Sequence, residues 1–154
     1  MKKKQKKPKI CIVSSCGGHL TEVRCLLPVF HEYEHFYVLN DKSILPDDME
    51  GKTQFICHAE RNWKVFKNFF EALMILRRER PTMILSTGAG PVVPFAVIGK
   101  WLYGCHIVFV ETITRVEKPS LTGRIMYRIA DDFFYQWASL AGFFPRGTHG
   151  GALI

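Results

Sequence analysis

The stretch Lys9-Ile10-Cys11-Ile12-Val13-Ser14-Ser15-Cys16-Gly17-Gly18-His19-Leu20 decides how the chain is built. Its first six residues are a short apolar run between polar ends, the composition of a strand buried on both faces of a parallel sheet. Ser15, Cys16 and two glycines follow, and then a helical pattern from His19 that sets Val23, Leu26, Leu27 and Phe30 on one face. Strand, glycine turn and helix succeed one another within about twenty residues.

The alternation continues to the carboxyl end. His35–Leu39 and Thr53–Cys57 read as strands, separated by a polar loop containing Pro46, Asp47 and Asp48. Asn62 to Arg80 predicts a long helix, with Trp63, Phe66, Phe69, Phe70, Leu73 and Leu76 at three- and four-residue steps. Arg77, Arg78 and Arg80 suit its C-terminal dipole, and Pro81 ends it. The aromatic stripe is expected to pack in the core, although a basic amphipathic helix is also the pattern of a membrane-interface element. Thr82–Ser86 reads as a fourth strand, Pro91 as the first position of a helix running through Tyr103, and His106–Val110 as a fifth strand. A helix over Ser120–Ile129 and a sixth strand over Phe133–Gln136 complete the pattern. Strands alternating with helices imply an α/β fold, a doubly wound, Rossmann-like parallel sheet, because parallel neighbours need right-handed helical crossovers.

A length of 154 residues is that of one domain, expected over 9–154 behind a basic flexible tail at 1–8. Lys2, Lys3, Lys4, Lys6, Lys7 and Lys9 are six of the 21 basic residues, and the 15 others nearly balance 14 acidic ones. The net charge of +7 therefore belongs to the tail, which argues against a nucleic-acid partner. Such a tail is either a solvated tip or a loose hold on an anionic membrane surface. Five cysteines, with no Cys-x-x-Cys pair, predict free thiols in a reducing compartment rather than a disulfide framework or a zinc site. No ligand cluster demands a metal. The longest apolar region, Pro91 to Val110, is broken by Gly99, Lys100 and Gly104, so it reads as a buried helix feeding a buried strand.

Gly17-Gly18 and Gly88-Ala89-Gly90 each lie between a strand's carboxyl end and a helix start. In a doubly wound sheet the first and fourth strands are neighbours at the switch point, so both turns would open on one crevice. Two helix N-termini with unpaired amides, approached over glycine, make a site for a phosphate or pyrophosphate. His19 and Glu111 are the candidate bases for taking a proton from an acceptor hydroxyl, and Arg115 is placed to meet a diphosphate. A competing reading takes Gly88-x-Gly90 with Glu111 as a dinucleotide fingerprint, hence a nicotinamide-dependent oxidoreductase. Against it, Val93 stands at the third glycine position and the first turn is left unexplained.

Five segments in order, Ser14-Ser15-Cys16-Gly17-Gly18-His19-Leu20, Ser86-Thr87-Gly88-Ala89-Gly90, Glu111-Thr112-Ile113-Thr114-Arg115-Val116, Pro119-Ser120-Leu121-Thr122-Gly123-Arg124 and Gln136-Trp137, resemble the membrane-recruiting subunit of the two-subunit N-acetylglucosaminyltransferase of dolichol-linked oligosaccharide synthesis. The likeness is strongest to its bacterial capsule and exopolysaccharide relatives. The resemblance implies the N-terminal, acceptor-side half of a GT-B enzyme, with a separate chain binding the nucleotide-sugar donor. It implies that Ser15, Gly17, Gly18, Thr87, Gly88, Gly90 and Arg115 bind a polyprenyl-diphosphate-linked acceptor, and that His19 or Glu111 is catalytic. It further implies that Gln136, Trp137, Leu153 and Ile154 meet the partner, and that the chain works without a cofactor as a peripheral protein on the cytoplasmic face of a membrane. Eukaryotic members begin with a hydrophobic anchor helix where this chain has lysines, so its membrane contact is expected to be peripheral. A stand-alone small glycosyltransferase is the other alternative, which leaves no room for a second nucleotide-binding lobe.

Overall fold

The computed structural model describes residues 7–40, 45–57 and 64–153. Residues 1–6 of the expected tail, Trp63 and Ile154 lie outside them. Among the described residues seven strands form one sheet: β1 (Lys9–Ser14), β2 (Glu34–Leu39), β3 (Thr53–Phe55), β4 (Met83–Ser86), β5 (His106–Val110), β6 (Asp132–Tyr135) and β7 (Thr148–His149). Their order is β3-β2-β1-β4-β5-β6-β7 and every pairing is parallel. Five helices accompany them: α1 (Gly18–Cys25), α2 (Leu27–Phe30), α3 (Lys64–Glu79), α4 (Val92–Tyr103) and α5 (Leu121–Ile129).

The central strands carry apolar side chains on both faces. Cys11, Val13, Ile84, Ile107 and Phe109 pack under α3, α4 and α5, while Ile10, Ile12, Tyr37 and Leu39 pack under α1, α2 and Met49. The chain reverses winding direction between β1 and β4, which pair from Ile10 opposite Met83 to Ile12 opposite Leu85. At that switch point the two glycine turns leave the carboxyl ends of neighbouring strands, side by side on one rim of the sheet.

Several local expectations shift. The first helix divides at Leu26 into α1 and α2, because Pro28 in the first turn of α2 has no N–H to donate back to Arg24. Pro91 caps α4 rather than opening it. The apolar stripe expected of α3 is divided: Leu76 is buried and Phe69 half-buried, but Phe66, Phe70 and Leu73 face outward, and Asn68, Ala72 and Ile75 complete the buried side. Small and aliphatic side chains let α3 lie close to the sheet and to α4, where a row of rings would not fit. β7 was not expected; two residues carry no periodicity, and the strand is held by its pairing with β6.

Candidate functional site

The first turn begins at Gly17, whose φ of 96° lies in the region that glycine alone adopts freely, and it delivers the chain into α1 with Gly17 and Gly18 exposed at the rim. The second turn leaves β4 through Ser86, whose hydroxyl donates to the carbonyl of Gly88, and then through Gly88 itself at φ 132°. The two turns are clasped to each other. Thr87 Oγ1 donates to the carbonyl of His19 at 2.8 Å, and the carbonyl of Thr87 lies 3.1 Å from His19 Nδ1.

That second contact fixes the imidazole. A carbonyl can only accept, so Nδ1 carries the hydrogen and the neutral ring keeps its lone pair on Nε2. The ring lies directly over Gly88, where a β-carbon would come within 2.5 Å of His19 Cε1. His19, Gly88, Gly90, Arg115 and Ser120 share one cleft of about 470 Å³, floored on its apolar side by Phe69, Val93 and Leu121. A ring nitrogen free to take a proton, an exposed guanidinium and open backbone at Ala89–Gly90 thus converge on a space large enough for a diphosphate and the start of its substituents.

Glu111 does not approach this cleft as its place at the end of β5 suggested. Its side chain is 0% exposed, and its oxygens accept from Thr112 N at 3.1 Å, Ser120 Oγ at 2.8 Å and Ser120 N at 3.3 Å. Burial pushes its carboxyl above the usual carboxylate range, opposed by the Ser120 and Thr112 hydrogen bonds and by the charge of Arg115. Ser120 completes the arrangement by capping α5, its Oγ accepting from Gly123 N at 2.8 Å. Glu111 therefore anchors the start of α5 from beneath. Thr87 is also wholly buried, a clasp between turns rather than a surface for ligand, and Ser15 stands half-buried beside the first turn without lining the cleft.

Glu22 was missed in the sequence. Three residues after His19 on α1, it is 1% exposed and its Oε1 accepts from Thr112 Oγ1 at 2.7 Å and from Ile113 N at 3.2 Å. An acid one helical turn beyond the candidate histidine, on the side where Leu26 follows, was the available signal. Gln136 is buried too, which corrects its expected place at the surface. Its amide donates to the carbonyl of Glu111 at 3.0 Å and to Glu22 Oε2 at 3.4 Å, while its Oε1 accepts from Leu153 N at 2.8 Å. Trp137 Nε1 donates to the carbonyl of Ile113 at 2.6 Å. The loop after β5, which carries Thr112, Thr114 and Arg115 into the cleft, is thus fixed from α1, from the end of β6 and from the last residues of the chain.

The opposite face of the sheet carries an apolar groove of about 600 Å³, crossed by Ile10, Leu85, Val108 and Phe134 and bordered by Val29 and Leu153. Among the described residues no three His, Cys, Asp or Glu side chains gather as a metal site, and no helix is long and apolar enough to cross a membrane.

The fold is shared with larger enzymes. The chain superposes on MurG of Acinetobacter baumannii with a TM-score of 0.72 at 14% identity, over 94% of its own length and 44% of that chain. A UDP-N-acetylglucosamine 2-epimerase from Rickettsia bellii gives 0.71 at 15% identity, over 96% and 46%. The chain spans less than half of each of these solved structures. In sequence it is 34% identical to the UDP-N-acetylglucosamine transferase subunit ALG14 of Rattus norvegicus, over 94% of this chain and 82% of that protein. The model of the family described as "Oligosaccharide biosynthesis protein Alg14 like" matches residues 58–153, and with the relative above it shows that this chain belongs to the Alg14 family.

Proposed function

We propose that this chain is the acceptor-side subunit of a two-chain glycosyltransferase. It holds a polyprenyl-diphosphate-linked acceptor at the cytoplasmic face of a membrane while a separate donor-binding chain brings a nucleotide sugar. Three things support the reading: relatives named as transferase subunits, a cleft at the switch point, and a fold that is less than half the length of the two enzymes it superposes on. The observation that carries it is the clasp of His19 to Thr87, which commits Nδ1 as donor and leaves Nε2 as the cleft's basic nitrogen.

In the reaction a hydroxyl of the acceptor attacks the anomeric carbon of the donor. The new glycosidic C–O bond forms as the bond from that carbon to the nucleoside diphosphate breaks, and the leaving group departs with its electron pair. The proton released from the acceptor hydroxyl goes to His19 Nε2. Arg115 and the backbone amides of Ala89 and Gly90 hold the acceptor's diphosphate, since the Gly88 amide already donates to Ser86 Oγ, and Gly17 and Gly18 stand on the rim outside the cleft's lining. Glu111 acts as a positioning residue, setting α5 and the loop that presents Arg115. No organic cofactor is called for, since the donor carries its own leaving group.

The partner's seat is the apolar groove, which Leu153 borders; Trp137 packs against the core on the other side of the sheet, and Ile154 lies beyond the described residues. Through this groove the chain would recruit the donor-binding chain and raise its activity. The products would be lipid-linked intermediates of a capsule or exopolysaccharide. The nicotinamide reading loses its ribose-binding carboxylate, because Glu111 Oε1 accepts from Thr112 N and Ser120 Oγ and Oε2 from Ser120 N.

Reconstitution tests the proposal. The chain mixed with a donor-binding partner is expected to transfer sugar from a nucleotide sugar to a prenyl-diphosphate-linked acceptor, with neither chain active alone. Transfer by the partner alone at the full rate would overturn it.

A further inference from the structure

The outer surface of the layer formed by α3, α4 and α5 is both apolar and positively charged. On α3 the side chains at intervals of three and four residues facing away from the sheet are Phe66, Phe70, Leu73, Met74 and Arg77. Phe66 is 80% exposed and Phe70 63%. On α4 Trp101 and Leu102 stand out, 67% and 63% exposed, and on α5 Leu121 and Ile125. Rings of this size seldom stand in water in such a row unless something covers them.

Charge decides what. The three helices carry seven Lys or Arg residues and two acids, Glu71 and Glu79. Both acids are engaged: Glu71 accepts from Cys57 N, and Glu79 pairs with Lys9 at 2.9 Å. Lys100 is neutralised by Asp131 at 2.7 Å and Arg78 pairs with Glu79 at 3.1 Å; of the others, Lys67, Arg77, Arg124 and Arg128 stand exposed on these helices. A second copy of the same face would repel it. An anionic lipid surface matches both features, accepting aromatic side chains into the headgroup region and cations at its phosphates.

We infer that this helix layer is the face by which the protein lies on an anionic membrane, with Phe66, Phe70 and Trp101 inserted. The inference rests on the acceptor reading for its purpose and gives that reading an orientation. Phe69, Leu121 and Ile125 line the cleft that holds Gly88 and Arg115, and Leu121 and Ile125 also belong to the outer face. A diphosphate in the cleft would therefore have its prenyl chain leave along apolar side chains straight into the bilayer, and no separate path through water is required.

The test compares the whole chain with F66S/F70S/W101S and with a variant whose tail lysines Lys2, Lys3, Lys4, Lys6 and Lys7 are changed to Gln. Partition onto phosphatidylcholine vesicles containing phosphatidylglycerol is measured against pure phosphatidylcholine, after circular dichroism has shown each variant folded. The triple variant is expected to lose partition by about tenfold or more, and the tail variant by only about two- to threefold. The triple variant, reconstituted with its partner, should keep wild-type transfer to a short, water-soluble prenyl-diphosphate acceptor and lose transfer to a vesicle-embedded one. Unchanged partition of the triple variant, or loss in the tail variant alone, overturns the inference. Failure of the wild-type pair on the soluble acceptor would instead overturn the acceptor reading and leave the vesicle result standing.

Discussion

His19 and Thr87, 68 residues apart, hold each other by two hydrogen bonds, Thr87 Oγ1 to the carbonyl of His19 and His19 Nδ1 to the carbonyl of Thr87. The first joins the glycine turns, and the second selects the tautomer. His19→Ala should lower kcat of the reconstituted pair by about 10²-fold or more with little change in partner affinity. Thr87→Val should cost about 1 kcal/mol of stability in urea denaturation, and a smaller loss of turnover, because the ring keeps its own bond to the backbone.

Gly88→Ala should inactivate as fully as loss of the histidine. The added methyl would meet Cε1 of the ring at 2.5 Å, on a backbone at φ 132° that alanine resists. The measurement is turnover beside thermal unfolding. The ring can swing outward to relieve the clash, so activity should fall much further than stability.

At the start of α5 the order reverses. A β-carbon on Gly123 would intrude on Glu111 Oε2 and crowd Ser120 Oγ. Gly123→Ala should therefore destabilise the fold by about 3 kcal/mol, seen as a lower urea midpoint with unchanged slope.

How much of this could be read beforehand depended on the kind of signal. β5 lies where its apolar run placed it, and the other long strands fall within a residue or two, because a strand buried on both faces has an unbroken apolar sequence. The meeting of the two glycine turns followed from strand order alone. The orientation of α3 did not, because Phe66 and Ile75 are both apolar, and only the packing partner decides which side faces inward. Glu111 and Glu22 were opaque for a related reason: a carboxylate's role depends on which donors surround it, and those come from Ser120 and Thr112, distant in sequence from one or both.

Stability should weaken in acid through one ion pair. Lys9 lies 2.9 Å from Glu79, and this hydrogen bond, with help from Arg78 and Gln54, lowers the Glu79 carboxyl below its ordinary value against the opposing effect of burial. A depressed carboxylate contributes stability above its ordinary range and loses it as the pH falls through the depressed value. Lys9→Met should flatten that part of the profile, with a loss of about 1 kcal/mol at neutral pH in chemical denaturation.

Leu153→Asp separates the two sides of the molecule. A charge in the apolar groove should weaken partner binding by about tenfold or more in a pull-down titration. Binding of a soluble diphosphate acceptor in the cleft should be unaffected.

The central claim is that this chain recognises the acceptor and leaves the donor to its partner. The most direct measurement is calorimetric titration of the chain alone with a short-chain, sugar-bearing prenyl diphosphate, with UDP-N-acetylglucosamine and with a nicotinamide dinucleotide. The account predicts binding of the prenyl diphosphate that His19→Ala and Gly88→Ala weaken, with neither nucleotide competing. Tighter binding of either nucleotide than of the prenyl diphosphate would contradict it.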